Sequence, residues 1–151
     1  MITIDQIKNL RVLTGVGVMD AKRILTEAGG SLDKAKEIVA KEGLIKAEKK
    51  SSRKVNQGLV FAYIHAGGRV GVLVEVNCET DFVARTLEFK DLCQEIGMQI
   101  AAMQPQTVAE LLKQEYIRET SKTVEELVKA LIAKTGENIQ VARFIRFEVG
   151  E

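Results

Sequence analysis

The segment from Gly58 to Val76 constrains the fold more than any other part of the chain. Apolar side chains occupy both sides of a strand pattern from Leu59 to Ile64, and a second apolar run extends from Val70 to Val76. Gly67-Gly68 lies between them and can adopt the positive backbone dihedral angles of a tight turn. We therefore predict an antiparallel β-hairpin. Because both of its faces are apolar, both need to be covered.

The chain before this hairpin has helical periodicity. Apolar residues at helical spacing predict a first helix that ends near Thr14, a second from Val18 to Ala28, and a third from Ser31 to Gly43. Thr3 with Gln6 has the spacing of a capping box at the start of the first helix. We expect these three short helices to pack into a compact bundle.

The chain after the hairpin returns to helices and ends in a further strand. An apolar stripe predicts a long helix that begins near Leu87 and is ended by Pro105. The pattern from Ile139 to Val149 is strand-like, so a third strand can pair with the hairpin. Two more capping boxes predict helices between these elements: Thr107 with Glu110, and Thr123 with Glu126.

These elements predict an α+β protein, with an N-terminal three-helix bundle and a core of a three-stranded antiparallel sheet with helices on one face. We expect the bundle to occupy residues 1–45, a basic linker residues 46–56, and the α+β core residues 57–151. The basic linker is either a solvated tether or an extension of the third helix. The second face of a sheet that is apolar on both sides would expose a large patch to water, so we infer a homodimer through that face, which makes the core the dimerisation domain.

The composition limits the classes of function. A formal net charge of +1 argues against a protein whose main task is to neutralise nucleic-acid phosphates. No apolar run approaches the roughly 18 residues of a membrane span, and Met1 leads into a helical pattern without a secretory leader, so we expect a cytoplasmic protein. Cys78, Cys93 and His65 make no metal-ligand spacing, so we expect no metal or cofactor and interpret both cysteines as small buried hydrophobic residues.

The strongest candidate for a functional site is the junction between the second strand and the long helix, Glu75 to Arg85. There Asp81-Phe82 combines a charge with a large apolar ring at a position that is usually exposed. In the alternative interpretation, Asp81 caps the next helical turn and Phe82 folds into the core, as most phenylalanines do. The residues alone favour this second interpretation.

Resemblance to a known family changes that balance. The run Thr80-Asp81-Phe82-Val83 resembles the signature of elongation factor Ts, the nucleotide-exchange factor of the translational GTPase elongation factor Tu. A second signature lies in the bundle, which resembles the ubiquitin-associated-like domain of that family. Its matching residues are Leu10-Arg11, Thr14-Gly15, Gly17, Met19-Asp20 and Lys22.

The resemblance implies a function and two sets of contact residues. The chain would bind elongation factor Tu with GDP and promote GDP release by displacing magnesium, after which GTP can bind. Thr80, Asp81, Phe82 and Val83 would act at the magnesium site of the GTPase. In the bundle, the residues carried over as contacts with its GTP-binding domain are Arg11, Val18, Met19 and Lys22. Val18 is shorter than the methionine that is frequent there in the family.

The short members of the family pair two copies of a single core module, which agrees with the homodimer inferred above. The chain carries no catalytic constellation, so we do not expect an enzyme. Two other classes of function are open. One is a ubiquitin-associated-like adaptor whose bundle holds a peptide, and the other is an RNA-binding accessory protein that uses the cations between Lys46 and Lys54.

Overall fold

The computed structural model describes residues 1–151. Its helices are α1 (Ile4–Thr14), α2 (Val18–Glu27), α3 (Leu32–Glu48), α4 (Asp81–Ala84), α5 (Leu87–Met103), α6 (Val108–Lys113) and α7 (Val124–Thr135). Its strands are β1 (Gln57–Ile64), β2 (Val70–Cys78), β3 (Glu115–Tyr116), β4 (Glu119–Thr123) and β5 (Ile139–Glu148). No helix is both long and apolar enough to span a membrane.

The first three helices form the predicted bundle. The capping box at Thr3 and Gln6 is present, since each side chain bonds the backbone N–H of the other. Gly15 ends α1 with φ of 77°, a left-handed conformation that costs glycine little, and Gly17 caps α2. The buried residues of the bundle form their own small core: Leu10, Ala21, Ile24, Leu25, Ala28 and Ala35.

The prediction that Gly43 ends the third helix was wrong. Helix α3 continues through Gly43 to Glu48, so its last residues lie in the segment predicted as a linker. A Cβ added at Gly43 would lie 3.2 Å from the Cβ of Ala133, so glycine lets α3 approach α7 closely. This packing offsets the roughly 1 kcal/mol that glycine costs inside a helix. Ala47, near the end of α3, is buried in the larger core formed with α7 and the sheet.

The three-stranded antiparallel sheet is confirmed. Its order is β1-β2-β5, with Phe61 opposite Val74 and Val74 opposite Phe144, and a bulge between Glu75 and Val76. Inward-facing residues of β2 are buried, including Val74 at 0% exposure, and they pack against α5. Helix α5 and strand β1 approach each other closely at Gly97, where an added Cβ would lie 2.8 Å from the Cβ of Tyr63.

The opposite face of the sheet carries no helix. We call it the open face and define it by six exposed apolar residues: Val60, Ala62, Ile64, Leu73, Ile145 and Phe147. Phe147 alone exposes 68% of its surface. The expectation of helices on one face only therefore holds, and the second apolar face is uncovered in the single chain.

The small hairpin of β3 and β4 was not predicted. It is held by the buried side chain of Gln99, which donates to the carbonyl oxygen of Glu115 at 3.0 Å and accepts from the N–H of Ile117 at 3.0 Å. The ring of Tyr116 is also buried, at 7% exposure. A strand of two residues has no periodicity to read, so only these tertiary contacts define it.

Candidate functional site

The Asp81-Phe82 pair lies on α4, a single helical turn directly after β2. Thr80 caps this turn in an extended conformation, and its side-chain oxygen accepts a hydrogen bond from the N–H of Val83 at 3.3 Å. The interpretation of Asp81 as the cap is therefore wrong. The Asp81 carboxylate instead forms an ion pair with Arg85 one turn later, and both side chains are exposed.

The two halves of α4 have opposite environments. Phe82 exposes 78% of its surface, whereas Val83 and Ala84 are buried at 6% and 3%. The interpretation of Phe82 as a core residue is therefore wrong. The buried pair anchors the turn in the core, and the turn presents a carboxylate and a phenyl ring to solvent side by side.

Glutamates behind the turn hold it in place. The carboxylate of Glu137, in the loop between α7 and β5, accepts from the N–H of Thr80 at 3.0 Å and from its hydroxyl at 2.7 Å. The carboxylate of Glu79 accepts from the N–H of Asn138 at 2.7 Å and from the guanidinium of Arg53 at 2.8 Å. Sequence reasoning missed Glu137 and Asn138 because they lie more than fifty residues from the turn in the chain.

Cys78 lies beneath the turn. It is fully buried, and its thiol donates to the carbonyl oxygen of Thr80 at 3.0 Å. Burial raises the pKa of the Cys78 thiol, and burial raises that of Cys93 to about 12. Both thiols therefore stay protonated near neutral pH. The interpretation of the two cysteines as small buried hydrophobic residues is confirmed.

The second predicted surface lies around the glycine turn between α1 and α2. All four residues expected there are exposed: Arg11, Val18, Met19 and Lys22. Met19 exposes 78% of its surface, which excludes core packing for this side chain. Val12 and Leu13, near the end of α1, are also exposed, at 85% and 56%.

Val12 and Leu13 had no separate signal in the sequence. Leu13 fits the apolar spacing of the first helix, and Val12 is its neighbour, so neither stands out as exposed. The chain also contains no group of three or more histidine, cysteine, aspartate or glutamate side chains placed to hold a metal ion.

Comparisons with known proteins find relatives named elongation factor Ts. The protein-family model described as Elongation factor TS matches residues 79–151. An elongation factor Ts of Thermoanaerobacter sp. (strain X514) is 44% identical over an alignment that covers 100% of this chain and 96% of that protein. An elongation factor Ts of Thermotoga petrophila is 42% identical, with coverage of 99% and 97%. One of Moorella thermoacetica is 40% identical, with coverage of 100% and 97%.

The alignments are longer than the chain itself. The alignment with the Thermoanaerobacter protein spans 196 positions, and this chain has 151 residues, so 196 less 151 leaves 45 positions that it does not fill. The relatives therefore contain residues without a counterpart here, although the identity extends over the whole of this chain.

Proposed function

The chain belongs to the elongation factor Ts family of translation elongation factors, and on this premise we propose that it is the guanine-nucleotide exchange factor of elongation factor Tu. The observation that carries the proposal is the exposure of Phe82, 78%, on a turn whose next two residues are buried. A phenyl ring that lies mostly in water contributes little to the stability of this chain. Its burial by a partner would be favourable, which suits a docking residue.

The proposed mechanism requires no covalent chemistry. The Phe82 ring inserts between side chains of the GTP-binding domain, and the Asp81 carboxylate makes polar contacts beside the magnesium site. Magnesium neutralises phosphate charge, so its displacement removes much of the attraction that holds GDP. Binding of the factor and binding of GDP with magnesium then weaken each other equally, as linkage requires. GDP leaves faster, and GTP can take its place.

Thr80 and Val83 have supporting roles in this proposal. Thr80 caps the turn through its hydroxyl, and Val83 is buried at its base. Val83 offers the partner little surface, and the hydroxyl of the exposed Thr80 is already bonded to Glu137. Their task is to fix the direction in which the acid and the ring point.

The bundle supplies the second proposed contact with the GTP-binding domain. The four family positions, Arg11, Val18, Met19 and Lys22, form this surface, and we add Val12 to them because of its exposure. Met19 offers a flexible apolar side chain that can fit an irregular partner surface. Arg11 lies at the end of α1, where its Nε is 3.4 Å from the carbonyl oxygen of Val16.

We also propose that two copies of the chain pair through the open face of the sheet. Uncovered apolar residues on three neighbouring strands support this, since a contiguous patch of this kind favours association. Sedimentation at micromolar concentration should give the mass of two chains. Phe147→Lys should give the mass of one chain, and Ile45→Lys, an equally drastic change on α3, should not. A single-chain mass for the unaltered protein would exclude the dimer.

The remaining expectations follow from this function. Translation takes place in the cytoplasm, so we place the protein there, with no membrane partner. A net charge of +1 supports a protein partner over direct contact with nucleic acid. Because the proposed role is a change in the binding equilibrium of another protein, the chain is not an enzyme in the usual sense.

Release of fluorescent GDP from a bacterial elongation factor Tu tests the proposal. Catalytic amounts of the chain should accelerate release, and Asp81→Ala with Phe82→Ala should abolish most of the acceleration while the fold stays intact. A matched control removes one exposed acid and one exposed apolar residue elsewhere on the chain, with Asp33→Ala and Ile45→Ala. A double variant at Asp81 and Phe82 that is as active as the parent would refute the assignment of the turn.

The same variants separate the other classes of function. A ubiquitin-associated-like adaptor predicts binding that survives the loss of Asp81 and Phe82. An RNA-binding accessory protein predicts strong salt dependence that weakens when the cations from Lys46 to Lys54 are replaced.

A further inference from the structure

Two short segments of the core, one after β2 and one before β5, are joined by hydrogen bonds to glutamate side chains. Glu79 and Thr80 follow β2, whereas Glu137 and Asn138 precede β5. The Glu137 carboxylate accepts from the N–H of Thr80, and the Glu79 carboxylate accepts from the N–H of Asn138. We call these four residues the carboxylate clamp.

We propose that Glu137 is a positioning residue for nucleotide exchange, which orients Asp81 and Phe82 by holding Thr80 through both of its polar groups. The inference rests on the proposed function of the turn and extends it to a residue that does not touch the partner. It is carried by the two bonds from one carboxylate to Thr80, of 3.0 and 2.7 Å.

The two bonds fix the start of α4. The hydroxyl of Thr80 donates to Glu137, so its lone pairs are free to accept from the N–H of Val83, which is the capping bond of the turn. Glu137 thereby fixes the hydroxyl in the orientation that capping requires. Since Asp81 and Phe82 are the next two residues, the direction of both side chains depends on this cap.

The turn needs such external support. A helix of four residues cannot complete enough intrahelical bonds to be stable by itself, because helix nucleation is unfavourable. Burial of Val83 and Ala84 holds the end of the turn, but the start of the turn is exposed. Bonds to an ionised carboxylate are among the stronger hydrogen bonds in proteins, and Glu137 supplies two of them at that exposed start.

Glu137 is itself held on a rigid base. The residue before it, Gly136, ends α7 in a left-handed conformation, and the N–H of Glu137 donates to the hydroxyl of Thr135 at 3.3 Å. The residue after it, Asn138, is buried at 1% exposure. The Asn138 side chain donates to the carbonyl oxygens of Ser51 and Arg53 at 3.3 and 2.7 Å. Contacts outside the turn therefore hold the backbone on both sides of Glu137.

A positioning role predicts a specific division between binding and release. Without Glu137 the turn samples more orientations, and the partner must order it on binding, which weakens the encounter. Once docked, Asp81 and Phe82 can still reach the same geometry. In Glu137→Ala the factor concentration for half-maximal GDP release should rise about tenfold, as expected for loss of a charged hydrogen bond, with little change in the maximal rate.

Hydrogen exchange on the free chain gives an independent readout. The amide of Thr80 donates directly to Glu137, so its exchange in Glu137→Ala should accelerate by about tenfold or more. Glu137→Gln can accept from that N–H with its amide oxygen and donate to a rotated hydroxyl, so it should restore both measurements in part. Glu95→Gln is the matched control. Glu95 also holds two polar partners, but these are Tyr116 and Arg118 at the β3–β4 hairpin, and neither measurement should change.

The possible results distinguish failure of the positioning role of Glu137 from failure of the proposed exchange function. Unchanged exchange of the Thr80 amide in Glu137→Ala would overturn the positioning role, and so would an unchanged half-maximal concentration in an assay where the unaltered chain is active. An unaltered chain that does not accelerate GDP release would refute the proposed function, whereas exchange of the Thr80 amide would still test the clamp. Should Glu137→Ala not fold, Glu137→Met decides, since it fills similar space without a carboxylate to accept either bond, and parental values in both measurements would then overturn the role.

Discussion

Replacement of Phe82 by alanine should slow catalysed GDP release without lowering the stability of the chain. The ring exposes 78% of its surface in the free chain, so few contacts within the chain are lost on truncation. We expect the free energy of unfolding to change by less than about 0.5 kcal/mol, as for most surface substitutions. A buried Phe89→Ala, in contrast, should cost about 3–5 kcal/mol because that ring is 0% exposed.

The functional loss follows from the area that remains to be buried. Covering a phenylalanine side chain contributes about 1.5–3 kcal/mol, and most of the Phe82 ring is free to be covered. Phe82→Ala should therefore lower the second-order rate constant for catalysed GDP release by roughly tenfold to a hundredfold. The control Ile45→Ala removes an exposed apolar side chain from α3 and should leave this constant unchanged.

Stopped-flow release of fluorescent GDP gives the rate constant, and urea denaturation followed by circular dichroism gives the stability. Two results would contradict the reasoning. An undiminished rate constant would show that the ring does not contact the partner when exchange occurs. A stability loss as large as that of Phe89→Ala would show that Phe82 belongs to the core, contrary to its exposure.

Three further predictions concern the fold. Gly97→Ala should lower the free energy of unfolding by about 1–3 kcal/mol in urea titrations, because its Cβ would lie 2.8 Å from that of Tyr63; unchanged stability would show that helix and sheet can separate freely. The hydrogen bond from Arg23 lowers the pKa of Glu42 below its ordinary value of 4.5. The stability that this ion pair contributes is therefore present above pH 4.5, and it is lost as the pH falls through the lower pKa of the folded state. Melting temperatures measured between about pH 6 and pH 3 should therefore fall less in Glu42→Gln than in the parent, and an equal fall would exclude this contribution. Burial and a pKa of about 12 should make Cys93 react slowly with a thiol reagent until guanidinium unfolds the chain, which absorbance at neutral pH can follow; rapid reaction of the folded chain would contradict its burial.

Periodicity predicted the parts of the fold that extend over several residues. The alternation from Leu59 to Ile64 and the strand-like run from Ile139 to Val149 gave the sheet, including its open face. Gly43 was wrongly predicted to end α3, because a glycine that ends a helix and a glycine that lets a neighbouring helix approach have the same local sequence. Only the contact with Ala133 tells them apart.

The candidate site was less accessible to reasoning from the residues. Pattern alone favoured a buried Phe82, and only the family resemblance reversed that interpretation. Local sequence also cannot reveal that Glu137 meets Thr80, since 57 positions separate them and many glutamates near a strand face water. Such pairings arise when two loops are brought together by the sheet, and they become visible only in three dimensions.

Continuity of α3 has a consequence for how a partner would meet this protein. One uninterrupted rod of 17 residues has its first turns in the bundle and its last turns in the core. A single helix therefore connects the bundle, which carries the glycine turn, to the core, which carries Phe82. Once a partner has bound one of these two surfaces, binding of the other costs little conformational entropy, whereas a flexible tether would lower the effective concentration of the second surface. A GTPase whose two matching surfaces move apart would be bound less tightly. The distance between the glycine turn and Phe82 alone can therefore favour one conformation of the partner over another.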